Sequence, residues 1–246
     1  MKKVFPLAAA ALVTAALPYG NVCAVSSQKL GYGQGTQTDD KNRPLGAADF
    51  NRQYSRYDAY AMLNDDKRII LTFDQGYENG FTKPILDVLR RKNVKAVFFL
   101  TGDYAKKEES LVKRMIKEGH ILGNHGMTHT SLPELSDSEL EEEVMSLHNF
   151  VLDKYGYEMQ YLRPPCGEYS ERSLSGCQKL GYKTLMWSFA YVDWKTDAQP
   201  DRTEALKKML SSAHGGAVYL LHSVSSTNAA VLADAIDGLR EKGFIL

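Results

Sequence analysis

From residue 68 onward, short apolar runs alternate with stretches of helical periodicity. This alternation restricts the fold more than any other feature of the chain. The apolar runs lie at 69–73, 94–100, 120–124, 160–163, 183–187, 217–222 and 244–246. Between them, residues 82–91 put Ile85, Val88 and Leu89 on one face, and 109–118 do the same with Leu111, Met115 and Ile116. Residues 136–155 open with Ser136 and Glu139 in capping-box spacing, carry Leu140, Val144, Leu147 and Val151, and meet Gly156. Segments 170–180, 201–213 and 228–242 complete the helical set. Strand–helix alternation of this kind predicts a parallel sheet with helices outside, open or closed into a barrel.

Functional side chains in such folds collect beyond the carboxyl ends of the strands. Asp74 follows the first predicted strand, inside Leu-Thr-Phe-Asp-Gln-Gly, and Gln75 stands where a second acid would be a natural metal ligand. His125 follows the third strand and His129 comes four residues later; Arg163 ends the fourth; Asp193 and Trp194 follow the fifth; His222 ends the sixth. The HxxxH spacing of His125 and His129 is a weak signal alone, because histidines so spaced are more often surface residues. On a helical turn they share a face, and their place beside Asp74 favours ligation of one divalent ion. His222 is either a satisfied core histidine or, with Asp193 as partner, a general acid or base. Arg163 is either a structural ion-pair residue or the planar fork that fixes a carboxylate. Trp194, Tyr191, Tyr169 and Tyr77 offer aromatic surface of the kind on which sugars stack.

The remaining sequence sets the context. Basic and acidic residues balance at 30 each, which gives none of the positive excess of a nucleic-acid protein. Lys2 and Lys3, the apolar stretch 4–17 and the small residues around Ala24 have the order of a secretory signal, cleaved after Ala24. Without residues 1–24 the chain carries a small acidic excess. Export permits a Cys166–Cys177 disulfide, but free thiols are the favoured reading. Residues 25–65, rich in Gly, Gln, Asn, Asp and Tyr, read as an irregular lead-in to a domain over 66–246.

Taken together, Thr72-Phe73-Asp74-Gln75-Gly76, His125-Gly126-Met127-Thr128-His129, Arg163-Pro164-Pro165-Cys166-Gly167, Asp193-Trp194 and Leu220-Leu221-His222 resemble the polysaccharide deacetylases of carbohydrate esterase family 4. The resemblance covers about residues 66–246, with the motifs in family order. The strings Phe73-Asp74-Gln75-Gly76-Tyr77-Glu78-Asn79-Gly80 and Ser188-Phe189-Ala190-Tyr191-Val192-Asp193-Trp194 are most similar to the branch that makes muramic δ-lactam in spore-cortex peptidoglycan. That branch also has a lead-in like residues 25–65. The resemblance implies a distorted (β/α) barrel of about seven parallel strands and a hydrolase that removes acetyl groups from N-acetylated sugars. It implies Asp74 as general base, His222 as general acid, Arg163 orienting Asp74 and Asp193 tuning His222. His125, His129 and Gln75 are the implied ligands of a divalent ion of the zinc type, weakly bound because Gln75 replaces an aspartate. Tyr77, Pro165, Cys166, Gly167, Trp194 and Leu221 are the implied substrate contacts. The implied partner is the peptidoglycan glycan strand, outside the cytoplasm, with no nucleic acid and no stable protein partner. Ala190 replaces an acid common in relatives, and the chain ends inside the expected last strand.

Overall fold

The alternation becomes one curled parallel sheet wrapped in helices. The computed structural model describes residues 25–246, so the expected signal over 1–24 lies outside the described residues. In chain order the strands are β1 (Leu30–Gly31), β2 (Ala59–Tyr60), β3 (Ile69–Gln75), β4 (Val97–Leu100), β5 (Ile121–Asn124), β6 (Tyr161–Leu162), β7 (Glu168–Tyr169), β8 (Lys183–Leu185) and β9 (Ala217–His222). The α-helices are α1 (Leu45–Tyr54), α2 (Thr82–Lys92), α3 (Gly102–Lys107), α4 (Glu109–Lys117), α5 (Asp137–Tyr155), α6 (Glu171–Lys179), α7 (Arg202–Ser211) and α8 (Ser226–Glu241).

Seven strands form a parallel sheet in the order β2-β8-β6-β5-β4-β3-β9. Past β8 the chain crosses to the far flank. Ser188 N–H donates to the Val218 carbonyl at 2.9 Å, Leu220 N–H donates to the Phe189 carbonyl at 2.8 Å, and Phe189 bridges Tyr219 in parallel. The sheet therefore curls until its β8 side meets β9, which is the distorted (β/α) barrel expected from the pattern.

The two-residue period of the strands separates two cores. Leu71 and Phe73 of β3, Phe98 and Leu100 of β4, and Tyr219 and Leu221 of β9 face the helices in the larger cluster. Val97, Phe99, Leu185 and Val218, with Ile70, Tyr60 and Tyr161 against them, fill the concave side. By the same alternation Asp74 and His222, at the carboxyl ends of β3 and β9, stand on the concave side.

Two sequence expectations change. The stretch 244–246 is not a sheet strand; it contributes only a bridge of Ile245 to Arg68. The seventh strand is β2, from the segment read as irregular. Two residues are too short to display a period, so β2 is invisible to pattern reading. That segment also supplies α1, whose Ala47, Phe50 and Tyr54 pack with Ala59, Met62, Tyr169, Leu174 and Met186 in a third cluster. β1 pairs antiparallel with β7. The Tyr32 hydroxyl donates to the Trp187 carbonyl at 2.5 Å, and Trp187 Nε1 donates to Gln34 Oε1 at 2.8 Å. Gln34 Nε2 in turn donates to the Ala190 carbonyl at 3.3 Å. These contacts brace the loops that carry the RPPCG string and Asp193.

Candidate active site

Arg163 is fully buried, and each part of its fork is occupied. Nη1 donates to Asp74 Oδ1 at 2.7 Å, Nε to the Leu185 carbonyl at 2.9 Å and Nη2 to the Met186 carbonyl at 3.0 Å. The guanidinium lies 4.2 Å from the centre of the Phe99 ring. Gly123, the register partner of Phe99, makes room for that ring, because a Cβ there would stand 2.4 Å from it. A short chain of contacts thus runs from a glycine in β5 to the orientation of Asp74. Burial pushes the Asp74 carboxyl up, but the Arg163 guanidinium above all, with the imidazoles of His125 and His222 nearby, outweighs it and holds the group below the usual carboxylate range.

Asp74 and His222 are register partners on neighbouring strands. His222 Nδ1 meets Asp193 Oδ1 at 2.7 Å, and its backbone N–H donates to Asp193 Oδ2 at 2.8 Å. Asn228 Nδ2 also donates to Asp193 Oδ2, at 2.6 Å. With Nδ1 committed to the carboxylate, Nε2 is the free nitrogen of His222. Burial disfavours charge on this imidazole, yet the hydrogen bond and charge of Asp193, with Asp74 beyond, raise its pKa above the ordinary histidine value. The site therefore pairs a carboxylate that ionises readily with an imidazole that binds its proton more tightly than an ordinary histidine. That combination suits proton acceptance on one side of a substrate and donation on the other.

His125 lies on the third side. Its Nδ1 meets the Arg163 carbonyl at 2.7 Å, and its Nε2 is 3.5 Å from Asp74 Oδ2. Burial drops its pKa to about 4, so the ring is neutral near pH 7 with a lone pair on Nε2. The His129 ring centre is 4.8 Å away, and burial lowers its pKa as well. Gln75 Nε2 donates to Ser223 Oγ at 2.5 Å, while its buried Oε1 has no hydrogen-bond partner. Among the described residues, no group of three or more His, Cys, Asp or Glu side chains is arranged to hold a metal. The available donors are two neutral imidazoles and an orphaned amide oxygen. In type they fit an imidazole-preferring divalent ion; in charge they are neutral.

Residues 62–185 match the polysaccharide deacetylase family. The chain belongs to that family. It is 42% identical over 203 residues to the peptidoglycan-N-acetylmuramic acid deacetylase PdaA of Bacillus subtilis, covering 82% of this chain and 77% of that protein. Similarity to a peptidoglycan-N-acetylglucosamine deacetylase of Bacillus cereus is 34% over 169 residues, covering 69% of this chain and 60% of that protein. The solved structure of Bacillus subtilis PdaA, a family 4 carbohydrate esterase, superposes with a TM-score of 0.85 at 39% identity, covering 90% of this chain and 95% of that one. Enzymes of this family are generally metal-dependent.

Within this deacetylase the expected substrate contacts divide. Tyr77 and Trp194 are 52% and 47% exposed, and the Trp194 ring lies 5.6 Å from that of His222. Cys166 is exposed at φ +57°, whereas Pro165 and Gly167 beside it are buried, Gly167 close against Trp187. Leu221 is a correction: strand alternation turns it into the helix-side core, and Leu220 shares the face of His222. Tyr191 and Tyr169 are also buried, Tyr191 hydroxyl on Asn228 Oδ1 and Tyr169 in the lead-in core, so neither is rim surface. Cys166 and Cys177 are free thiols.

Several residues were missed by sequence reasoning. Asn124 Oδ1 accepts the Gly126 N–H at 2.9 Å, and its Nδ2 donates to the Val144 carbonyl and the Tyr182 hydroxyl. Asn228, Ser223 and Glu143 similarly hold Asp193, Gln75 and the histidine loop. Glu143 had a legible signal: it is an acid three residues after Leu140, on the apolar face of α5.

Proposed function

We propose that this chain hydrolyses the N-acetyl group of N-acetylmuramic acid residues in peptidoglycan glycan strands, outside the cytoplasm, releasing acetate and a free amine. On strands lacking the peptide, that amine cyclises onto the lactyl carboxylate to give the δ-lactam of spore cortex. The observation that carries this reading is the register pairing of Asp74 with His222, each fixed by its own partner. Family membership and the similarity to PdaA support the substrate.

Asp74 is the general base. Held ionised by Arg163, it accepts the proton of the attacking water. His222 is the general acid: its Nδ1 stays on Asp193 while Nε2–H donates to the departing nitrogen, which prevents return to the amide. Trp194 and Tyr77 offer the sugar ring aromatic faces, and Leu220, on the same strand face as His222, offers apolar surface for the acetyl methyl. His125 Nε2, His129 and, more weakly, Gln75 Oε1 are the groups that would hold a divalent ion of the zinc type, which would supply Lewis-acid chemistry when bound. Gln75 contributes no charge, so these groups would hold such an ion less tightly than a set with an aspartate there.

Mass spectrometry of digested glycan strands after incubation with the protein tests the proposal. Loss of acetyl and one water from muramic residues is the expected product. Loss of acetyl from glucosamine residues alone overturns the substrate, and unchanged glycan overturns the activity.

A further inference from the structure

The loop between His125 and His129 does not hold its own shape. Gly126 sits at φ +84° and His129 at φ +63°, a left-handed conformation that a residue with a side chain adopts only when its surroundings impose it. The imposing group is a single residue of α5. Glu143, almost fully buried, accepts at Oε1 from the Thr128 N–H at 2.7 Å and the Thr130 N–H at 3.4 Å. Its Oε2 accepts from the Thr128 hydroxyl at 2.8 Å, and its backbone carbonyl accepts from the Met127 N–H at 3.1 Å. One residue therefore fastens both sides of His129.

That carboxylate fits only because of the motif's glycine. A Cβ at position 126 would stand 2.6 Å from Glu143 Oε1. The candidate ligand set of His125, His129 and Gln75 is also neutral; the carboxylates beside it are Asp74, 3.5 Å from His125 Nε2, and Glu143, bonded to the backbone on either side of His129.

We propose that Glu143 is the positioning residue of the histidine loop, and that its carboxylate, admitted by Gly126, sets the affinity of the His125–His129 pair for a divalent cation. Glu143 touches neither substrate nor ion. It acts by fixing where His129 stands and by placing negative charge behind a ligand set that has none. Supporting groups of this kind change metal affinity by about 10–100-fold. The inference rests on His125 and His129 being the ligands.

The test is titration of the full chain with Co²⁺, followed by visible absorption, with thermal unfolding of each apo variant in parallel. Glu143→Gln keeps the size of the side chain and removes the charge; it is expected to bind Co²⁺ at least about 10-fold more weakly, with an altered spectrum. Thr128→Val, which removes only the hydroxyl donor, is expected to weaken binding, and Thr128→Ser to restore it. This second pair carries the test if Glu143→Gln does not fold. A folded Glu143→Gln with wild-type affinity and spectrum overturns the proposal, as does equal binding by Thr128→Val and Thr128→Ser. Absence of Co²⁺ binding by the wild-type chain overturns both this inference and the ligand reading. Wild-type binding with unchanged variants overturns the role of Glu143 alone.

Discussion

At Asp193 a buried carboxylate meets the imidazole and backbone N–H of His222 and the side-chain amide of Asn228. It is the main reason that the pKa of His222 is raised despite burial. A general acid works only while protonated, so activity is retained below the raised pKa of His222 and lost as pH rises through it. Asp193→Asn removes the charge, so the alkaline limb of the kcat/KM profile moves to lower pH, and kcat falls by about 10²-fold or more. A pH–rate series on both proteins checks this, and an unmoved alkaline limb contradicts it. The rim residues Asp74, His125, Arg163, Asp193 and His222 were legible because strand ends gather chemistry whatever the family. Leu221 was misplaced because a motif string does not state which of two neighbouring leucines shares the face of the histidine; strand parity does. Asn124 and Asn228 were illegible because their partners, the Val144 carbonyl and Tyr182 hydroxyl for one and Asp193 for the other, are brought close only by the fold; Glu143 left a trace only as an acid on an apolar helix face.

Among the elements, most boundaries followed from local signals. Ser136 and Glu139 form the expected capping box, with Ser136 N–H donating to Glu139 Oε2 at 2.7 Å, and Gly156 ends α5 at φ +64°. Elements that depend on tertiary support escaped. β2 is two residues long, and α1 carries its buried face on Ala47, Phe50 and Tyr54, a stripe too weak to register as a helical period. Asn51 ties these two pieces together: its Nδ2 donates to the Met62 carbonyl at 2.8 Å, and its Oδ1 accepts from the Ala61 N–H at 2.7 Å. Asn51→Ala leaves both backbone groups without that partner. We expect a loss of roughly 2 kcal/mol and a thermal midpoint lower by about 4–8 °C. A midpoint within a degree of wild type would mean that α1 and the sheet edge are held by apolar packing alone.

For the whole molecule, the outer core contains a buried titrating group far from the chemistry. His120 accepts the Ala96 N–H on Nδ1 at 3.2 Å and packs edge-on against Phe98. Burial, aided by the charge of Lys95, depresses its pKa to about 4. A depressed histidine favours the folded state fully above its unfolded value near 6.5, and that contribution is lost as pH falls toward about 4. The loss amounts to roughly 3 kcal/mol. Urea unfolding across this range should show stability falling with pH, and His120→Gln should flatten the slope even if it is less stable at neutral pH. An unchanged slope contradicts the assignment.

The central claim is that a carboxylate on β3 and an imidazole on β9 act as one base–acid pair on an acetamide. Acetate release from peptide-free glycan strands by Asp74→Asn tests it most directly, with folding checked by thermal midpoint. The account predicts a folded protein whose turnover drops by about 10²–10⁴-fold. A folded Asp74→Asn that releases acetate at near the wild-type rate would contradict it.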